Sequence, residues 1–219
     1  MSKSVYSLVL TDEVIDAIDR LAYATGISRS GFIDRVLAER VGFSTAEMRT
    51  DGIFESLNRL FSEGGDGFIV KSENQSMLIR SSLKYKYKPT IRYSLQLLRT
   101  GEYTEGELKV SFRTQSEELK KKMEDFLRLW AKRENTYIVK YFPDGIRYFI
   151  EDGRFSRVFV LPEGYRNKSN EDIGKAIAEY IRMFDDVLKC FFAEEDSGKG
   201  AAAAADRYCR YLEKGIVVI

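Results

Sequence analysis

Histidine is absent from all 219 residues, which removes the commonest general base near neutral pH and the commonest transition-metal ligand. Cysteine is scarce: Cys190 and Cys209 stand near the C-terminal end without metal-ligand spacing, as expected of buried thiols in a reducing compartment. A Gly-rich phosphate loop, a G-x-S-x-G elbow and a paired-carboxylate motif are all missing, so no catalytic residue and no enzyme activity is expected. Asp185, Asp186, Glu194 and Glu195 read as solvated helix-end charges, not as convergent metal ligands, and no metal or cofactor is expected. No apolar run approaches the ~20 residues that cross a bilayer, and the N-terminus lacks a signal-peptide core, which predicts a cytoplasmic protein without membrane contact. Lysine and arginine total 35 against 34 aspartates and glutamates, so no global basic field announces a polyanionic partner.

What the chain does have is apolar surface: 44% hydrophobic and 13% aromatic residues, enough to offset the entropy of ordering most of the backbone. The opening stretch VYSLVLTDE alternates like a strand over Ser4–Leu10. Thr11 then stands as N-cap, with Asp12 and Glu13 in the first turn and Leu10 and Ile15 at staple spacing. Val14, Ile18, Leu21 and Ala22 form an apolar stripe that ends at Gly26. Ser28 caps a second helix whose stripe is Phe32, Ile33, Val36, Leu37 and Val41, ending at Gly42. One strand and two short helices cannot satisfy their backbone and bury both stripes alone. A second copy of the chain, pairing strand with strand, supplies what is missing.

The stretch SVYSLVLTDEVIDAIDRLAYATGISRSGFIDRVLAERVG, with strand, helix, a G-I-S-R-S turn and a second helix in about 40 residues, resembles the ribbon-helix-helix repressors of the MetJ, Arc and CopG type. The likeness covers the first 42 of 219 residues. It implies an intertwined homodimer, or a higher homo-oligomer, whose β-ribbon enters the major groove of operator DNA. Lys3, Val5, Ser7 and Val9 would face the bases, and Ser28, Arg29 and Ser30 would hold phosphates at a helix N-terminus. Tyr6, Leu8, Leu10, Ile18, Leu21, Phe32, Ile33, Val36 and Leu37 would form the dimer core. The outward valines depart from the family's polar triplet. Residues 1–42 also carry five basic and six acidic side chains, a net −1, which predicts weak phosphate gripping and a shallow salt dependence.

Beyond this lies a change of pattern. Residues 45–66 read as a connector helix with Ile53, Leu57, Leu60 and Phe61 on one face. Residues 67–195 read as an α+β domain: strands in FIVKS, MLIRSSLKYKY, TIRYSLQLL and ELKVSF, a helix capped by Ser116 with Trp130 in its core stripe, a meander YIVKYF, IRYFIE and RFSRVFVLP, and a long helix from Asn170 to about Phe192. Phe68–Asn135 and Thr136–Phe192 read as two related halves, each an antiparallel sheet with helices on one side. LKYKYKP alternates lysines with stackable tyrosines near Arg80, Arg92 and Arg99, a pattern also found on nucleic-acid surfaces, but in a strand it places Leu83, Tyr85 and Tyr87 inward and Lys84, Lys86 and Lys88 on a wet face. Residues 196–219 read as a flexible linker and an alanine-rich tail.

The expected fold is therefore α+β, residues 1–44 forming a ribbon-helix-helix module ahead of an antiparallel sheet-and-helix domain. The expected function is a bacterial transcription regulator, a repressor, whose C-terminal domain serves oligomerisation or an unidentified small-molecule or protein effector. The alternative is an antitoxin or interaction module that neutralises a partner protein.

Overall fold

The computed structural model describes residues 5–65, 67–73, 76–86, 88–98, 105–151, 153–160 and 168–215; Lys3, Tyr87 and Arg99 lie outside them. The chain divides into two compact units, Met1–Arg49 and Thr50–Ile219.

The first unit holds helices α1 (Asp12–Thr25) and α2 (Arg29–Arg40). Gly26 ends α1 in the left-handed region at φ 69°, where a side chain would be strained. The amides of Gly26 and Ile27 return to the carbonyls of Tyr23 and Ala22. Ser28 caps α2 by accepting from the Gly31 amide at 3.2 Å. Thr11 caps α1 with its backbone carbonyl alone, its hydroxyl making no capping bond.

The ribbon-helix-helix arrangement is not what this unit shows. In that family a strand comes first, whereas here residues 5–11 form no strand and the first strand of the described chain begins at Ile69, after three helices. Alternation in VYSLVL encodes a preference for extended backbone, but a strand exists only where a neighbour takes up its amides and carbonyls. Among the described residues nothing pairs with 5–10. The roles assigned to Val5, Ser7 and Val9 as a groove-reading ribbon fall with it.

The second unit is mixed α+β. Helix α3 (Ala46–Glu63) runs across the division into it, burying Ile53, Leu57 and Phe61. Strands β1 (Ile69–Glu73), β2 (Ser76–Ser82), β3 (Thr90–Leu98), β4 (Glu105–Phe112), β5 (Tyr148–Glu151) and β6 (Arg154–Phe159) form one antiparallel sheet in the order β1-β2-β3-β4-β6-β5. The expected two halves are thus a single sheet. Pairing β4 with β6 covers two edges that separate sheets would leave open. The expected third meander strand, YIVKYF, is the end of α4 (Glu117–Tyr137) followed by a 3-10 turn at Val139–Tyr141.

Period two decides what the sheet buries. Met77, Ile79, Ile91, Tyr93, Leu95, Leu108, Val110, Phe155 and Phe159 all face the helices. Against them pack α4, α5 (Asn170–Glu194) and α6 (Gly200–Glu213). A full capping box starts α5: the Ser169 hydroxyl accepts from the Asp172 amide at 3.1 Å, and Asp172 accepts from the Ser169 amide. The alanine-rich segment is helix α6, and it docks through buried Ala204 and Tyr208.

Glycine sets one close approach. A Cβ on Gly174 of α5 would lie 2.8 Å from Ser56 Oγ and 3.2 Å from the Ile53 carbonyl oxygen of α3. Alanine normally favours a helix over glycine by about 1 kcal/mol, yet overpacking of this kind costs about 1–3 kcal/mol. Gly174→Ala is therefore expected to lower the urea midpoint. A raised midpoint would show that α3 and α5 can separate freely.

Candidate interaction surfaces

In the first unit, Val5 and Val9 are fully exposed, as is most of Tyr6; Ser7 is exposed too. Of the residues assigned to a dimer core, Leu8, Leu10, Leu21, Val36 and Leu37 stand exposed, while Ile18, Phe32 and Ile33 are half-buried. Val14, Tyr23, Val41 and Phe43 add to this apolar surface. Within α1 and α2, burial is complete only at Ala22 and Ala38.

The three residues assigned to phosphates are engaged nearby. Arg29 makes a two-pronged ion pair with Asp19 of α1 through Nε and Nη2, and the hydrogen bond to that carboxylate raises the arginine's pKa. Ser28 Oγ serves the Gly31 amide and lies 3.3 Å from Ser30 Oγ. A phosphate would have to displace Asp19 to reach the guanidinium.

In the second unit, two shallow clefts occur. One, about 420 Å³, is lined by Cys190, Glu194, Lys199, Asp206, Arg207 and Arg210; burial pushes the Cys190 thiol up, away from the thiolate a nucleophile needs. The other, about 520 Å³, is lined by Ser82, Leu83, Lys84, Tyr85 and Lys88. The LKYKYKP run leaves the strand at Ser82, and Tyr85 packs on Phe192 at 5.0 Å while its hydroxyl meets Lys122 Nζ at 2.9 Å. No group of three or more described Cys, Asp or Glu side chains is placed to hold a metal ion, and no described helix is long and apolar enough to cross a membrane.

Beside the first cleft, Asp186 accepts from Arg207 Nε at 2.6 Å and Nη2 at 3.0 Å, and from the Tyr211 hydroxyl at 2.8 Å. Burial alone would raise the Asp186 pKa, but the arginine and tyrosine donors outweigh it and hold the carboxyl below its ordinary value. Such a depressed pKa stabilises the fold above the unfolded value near 3.9, and the gain is lost as pH falls through the folded pKa. Arg207→Met should therefore lower stability at neutral pH, with the gap to the parent protein closing below about pH 4. Denaturation midpoints against pH measure it; a constant gap would assign the loss to packing.

The most distinctive surface is the open face of the sheet, opposite the helices. Register sets Ile69 opposite Arg80, Arg80 opposite Arg92, and Arg92 opposite Ser111. One step beyond the last β4–β6 pair, Val110 with Phe155, Arg154 continues that row on β6, with Glu151 opposite it. A neighbouring row runs Lys71, Leu78, Ser94, Lys109, Ser156 and Phe149. Lys109 meets Glu107 at 2.9 Å. Partial burial works against the Glu107 charge, yet the Ser156 hydroxyl and Lys109 hold the carboxyl below its ordinary range. Arg80, Arg92 and Arg154 are exposed and have no ion pair among the described residues.

Arg80 and Arg92 stand near the LKYKYKP run in the sequence, but nothing in the sequence makes them one row. The alternation of SMLIRSS and TIRYSLQLL puts Arg80 and Arg92 outward, but only the pairing register makes them neighbours. Asp185, read as a solvated helix-end charge, is 3% exposed and accepts from the hydroxyls of Tyr93 at 2.8 Å and Ser81 at 3.1 Å. No family model, no curated protein and no solved structure matches the chain, so the functional reading rests on these residues and their geometry.

Proposed function

We propose that the protein is a homo-oligomeric DNA-binding regulator of transcription in the cytoplasm, acting by binding and not by catalysis, in which the first unit joins two copies. The major-groove ribbon has no part in this reading. The observation that carries it is the apolar surface of the first unit. Leu8, Leu10, Leu21, Val36, Leu37 and Val41 stay in water in a single chain, and large apolar side chains left exposed in such number within one small unit are the kind of surface that association covers. The net −1 over residues 1–42 opposes self-association little, and it makes the same unit a poor grip on phosphates.

A variant carrying Leu21→Glu and Leu37→Glu tests the reading. It should run at the mass of one chain and lose affinity for duplex DNA by at least tenfold, because each dimer presents two copies of its DNA contacts. A variant that keeps both the parent mass and the parent affinity would contradict it. The rival reading, an interaction module that neutralises another protein, draws on the same surface. It would be favoured by a parent chain that is monomeric and binds no DNA.

A further inference from the structure

We propose that the open face of the sheet in the second unit binds nucleic acid, with Arg80, Arg92 and Arg154 gripping the phosphodiester backbone. This rests on the reading of the protein as DNA-binding and names the surface that does it. Like charges directly opposite each other in a sheet are destabilising. Arg80 and Arg92 nevertheless stand opposite, and no described carboxylate pairs with either. With strands about 4.8 Å apart, the row from Arg80 to Arg154 spans three strand intervals. Guanidinium forks spaced along it can take successive phosphates bidentately.

Five cations, Lys71, Arg80, Arg92, Lys109 and Arg154, share the register positions of this face with four glutamates, Glu73, Glu105, Glu107 and Glu151, so the face is distinguished by its row of arginines and not by a large net charge. Between them lie Ser94 and Ser111, whose hydroxyls are of the kind that accompany arginine at phosphate contacts. Phe149, exposed at 56% on the outer strand of the same face, offers a ring on which a base can stack.

Charge complementarity alone would also admit an acidic protein. Protein interfaces, however, are centred on buried aromatic or aliphatic anchors with a charged rim. Here the arrangement is reversed: the central strands carry mostly arginine, serine, lysine and glutamate around a half-buried Leu78, and the exposed apolar residues, Ile69 and Phe149, stand on the two edge strands β1 and β5.

The test measures binding of the full chain to a fluorescent oligothymidylate, to a mixed-sequence DNA duplex and to an RNA strand between about 50 and 200 mM salt. The variant carries Arg80→Gln, Arg92→Gln and Arg154→Gln, all at exposed positions, with its thermal midpoint checked against the parent. The variant should lose on the order of 10- to 100-fold in affinity, and its slope of log affinity against log salt should fall by roughly 2. Restoring the three as lysine should recover most of the slope. Phe149→Ala should weaken binding to the single strands without changing the slope.

Parent and variant binding with the same slope would overturn the face while leaving the DNA-binding reading intact. A parent that binds none of the three probes would overturn both. Equal competition by polyglutamate would show a surface for any polyanion and overturn the assignment to nucleic acid.

Discussion

Glu134→Ala is expected to destabilise the second unit by about 3–5 kcal/mol, the cost of stranding a buried charge. Glu134 of α4 and Arg157 of β6 are both fully buried, with Nε 3.0 Å from Oε1. Around them stand Tyr148, Tyr180 and Tyr208, and the guanidinium carbon lies 4.8 Å from the Tyr180 ring centroid and 5.2 Å from that of Phe159. Neither the carboxylate oxygens nor the guanidinium nitrogens have a well-aligned hydrogen bond among the described residues. Complete burial pushes the Glu134 carboxyl above its usual range, an effect that Arg157 opposes without reversing. Removing the glutamate leaves a guanidinium held by aromatic faces alone. Replacing both partners, by Glu134→Leu and Arg157→Met, should by contrast be close to neutral, because it removes both desolvation costs together. Urea denaturation of the two variants separates these cases. A double variant as unstable as the single one would mean that the pair contributes net attraction.

Phe184→Ala carries the second large effect, an expected loss of about 3–5 kcal/mol. Phe184 lies on α5 without solvent exposure. Its ring centroid is 4.7 Å from Trp130, 5.4 Å from Phe126, 5.5 Å from Phe155 and 6.0 Å from Tyr93. The side chain therefore ties α5 to α4 and to two strands at once. Four neighbours drawn from three other elements cannot all collapse into the space it leaves, so the cavity term adds to the lost burial. A loss below about 1 kcal/mol would show that the aromatic cluster repacks.

Where information was local, it was legible in the residues. Ser116 announced α4 and accepts from the Leu119 amide three positions on, and the apolar periodicity from Asn170 announced α5. Trp130 sat at helical spacing and is buried. Alternation in TIRYSLQLL gave β3 and its inward set. Failures came where the answer lay in another element. YIVKYF has the β-branched and aromatic content of a strand, yet α4 runs through Tyr137, and Ile138 and Phe142 are buried from a turn. Tertiary packing overrides propensity there. VYSLVL carried the pattern of a strand, but pattern cannot provide a hydrogen-bonding neighbour. Asp185 looked like a surface charge because nothing near it in the chain foretells Tyr93 or Ser81, which reach it from the sheet.

For the candidate surfaces, the same division holds. The exposed apolar stripes of α1 and α2 were visible as stripes. The arginine row required register between β2 and β3 and the junction of β4 with β6, and neither is encoded in any single segment.

Sedimentation equilibrium of the full-length parent chain, over concentrations from about 1 to 100 μM, tests most directly the claim that the first unit joins copies. The account predicts a species of twice the chain mass throughout the upper part of that range. A single-chain mass at every concentration would contradict it.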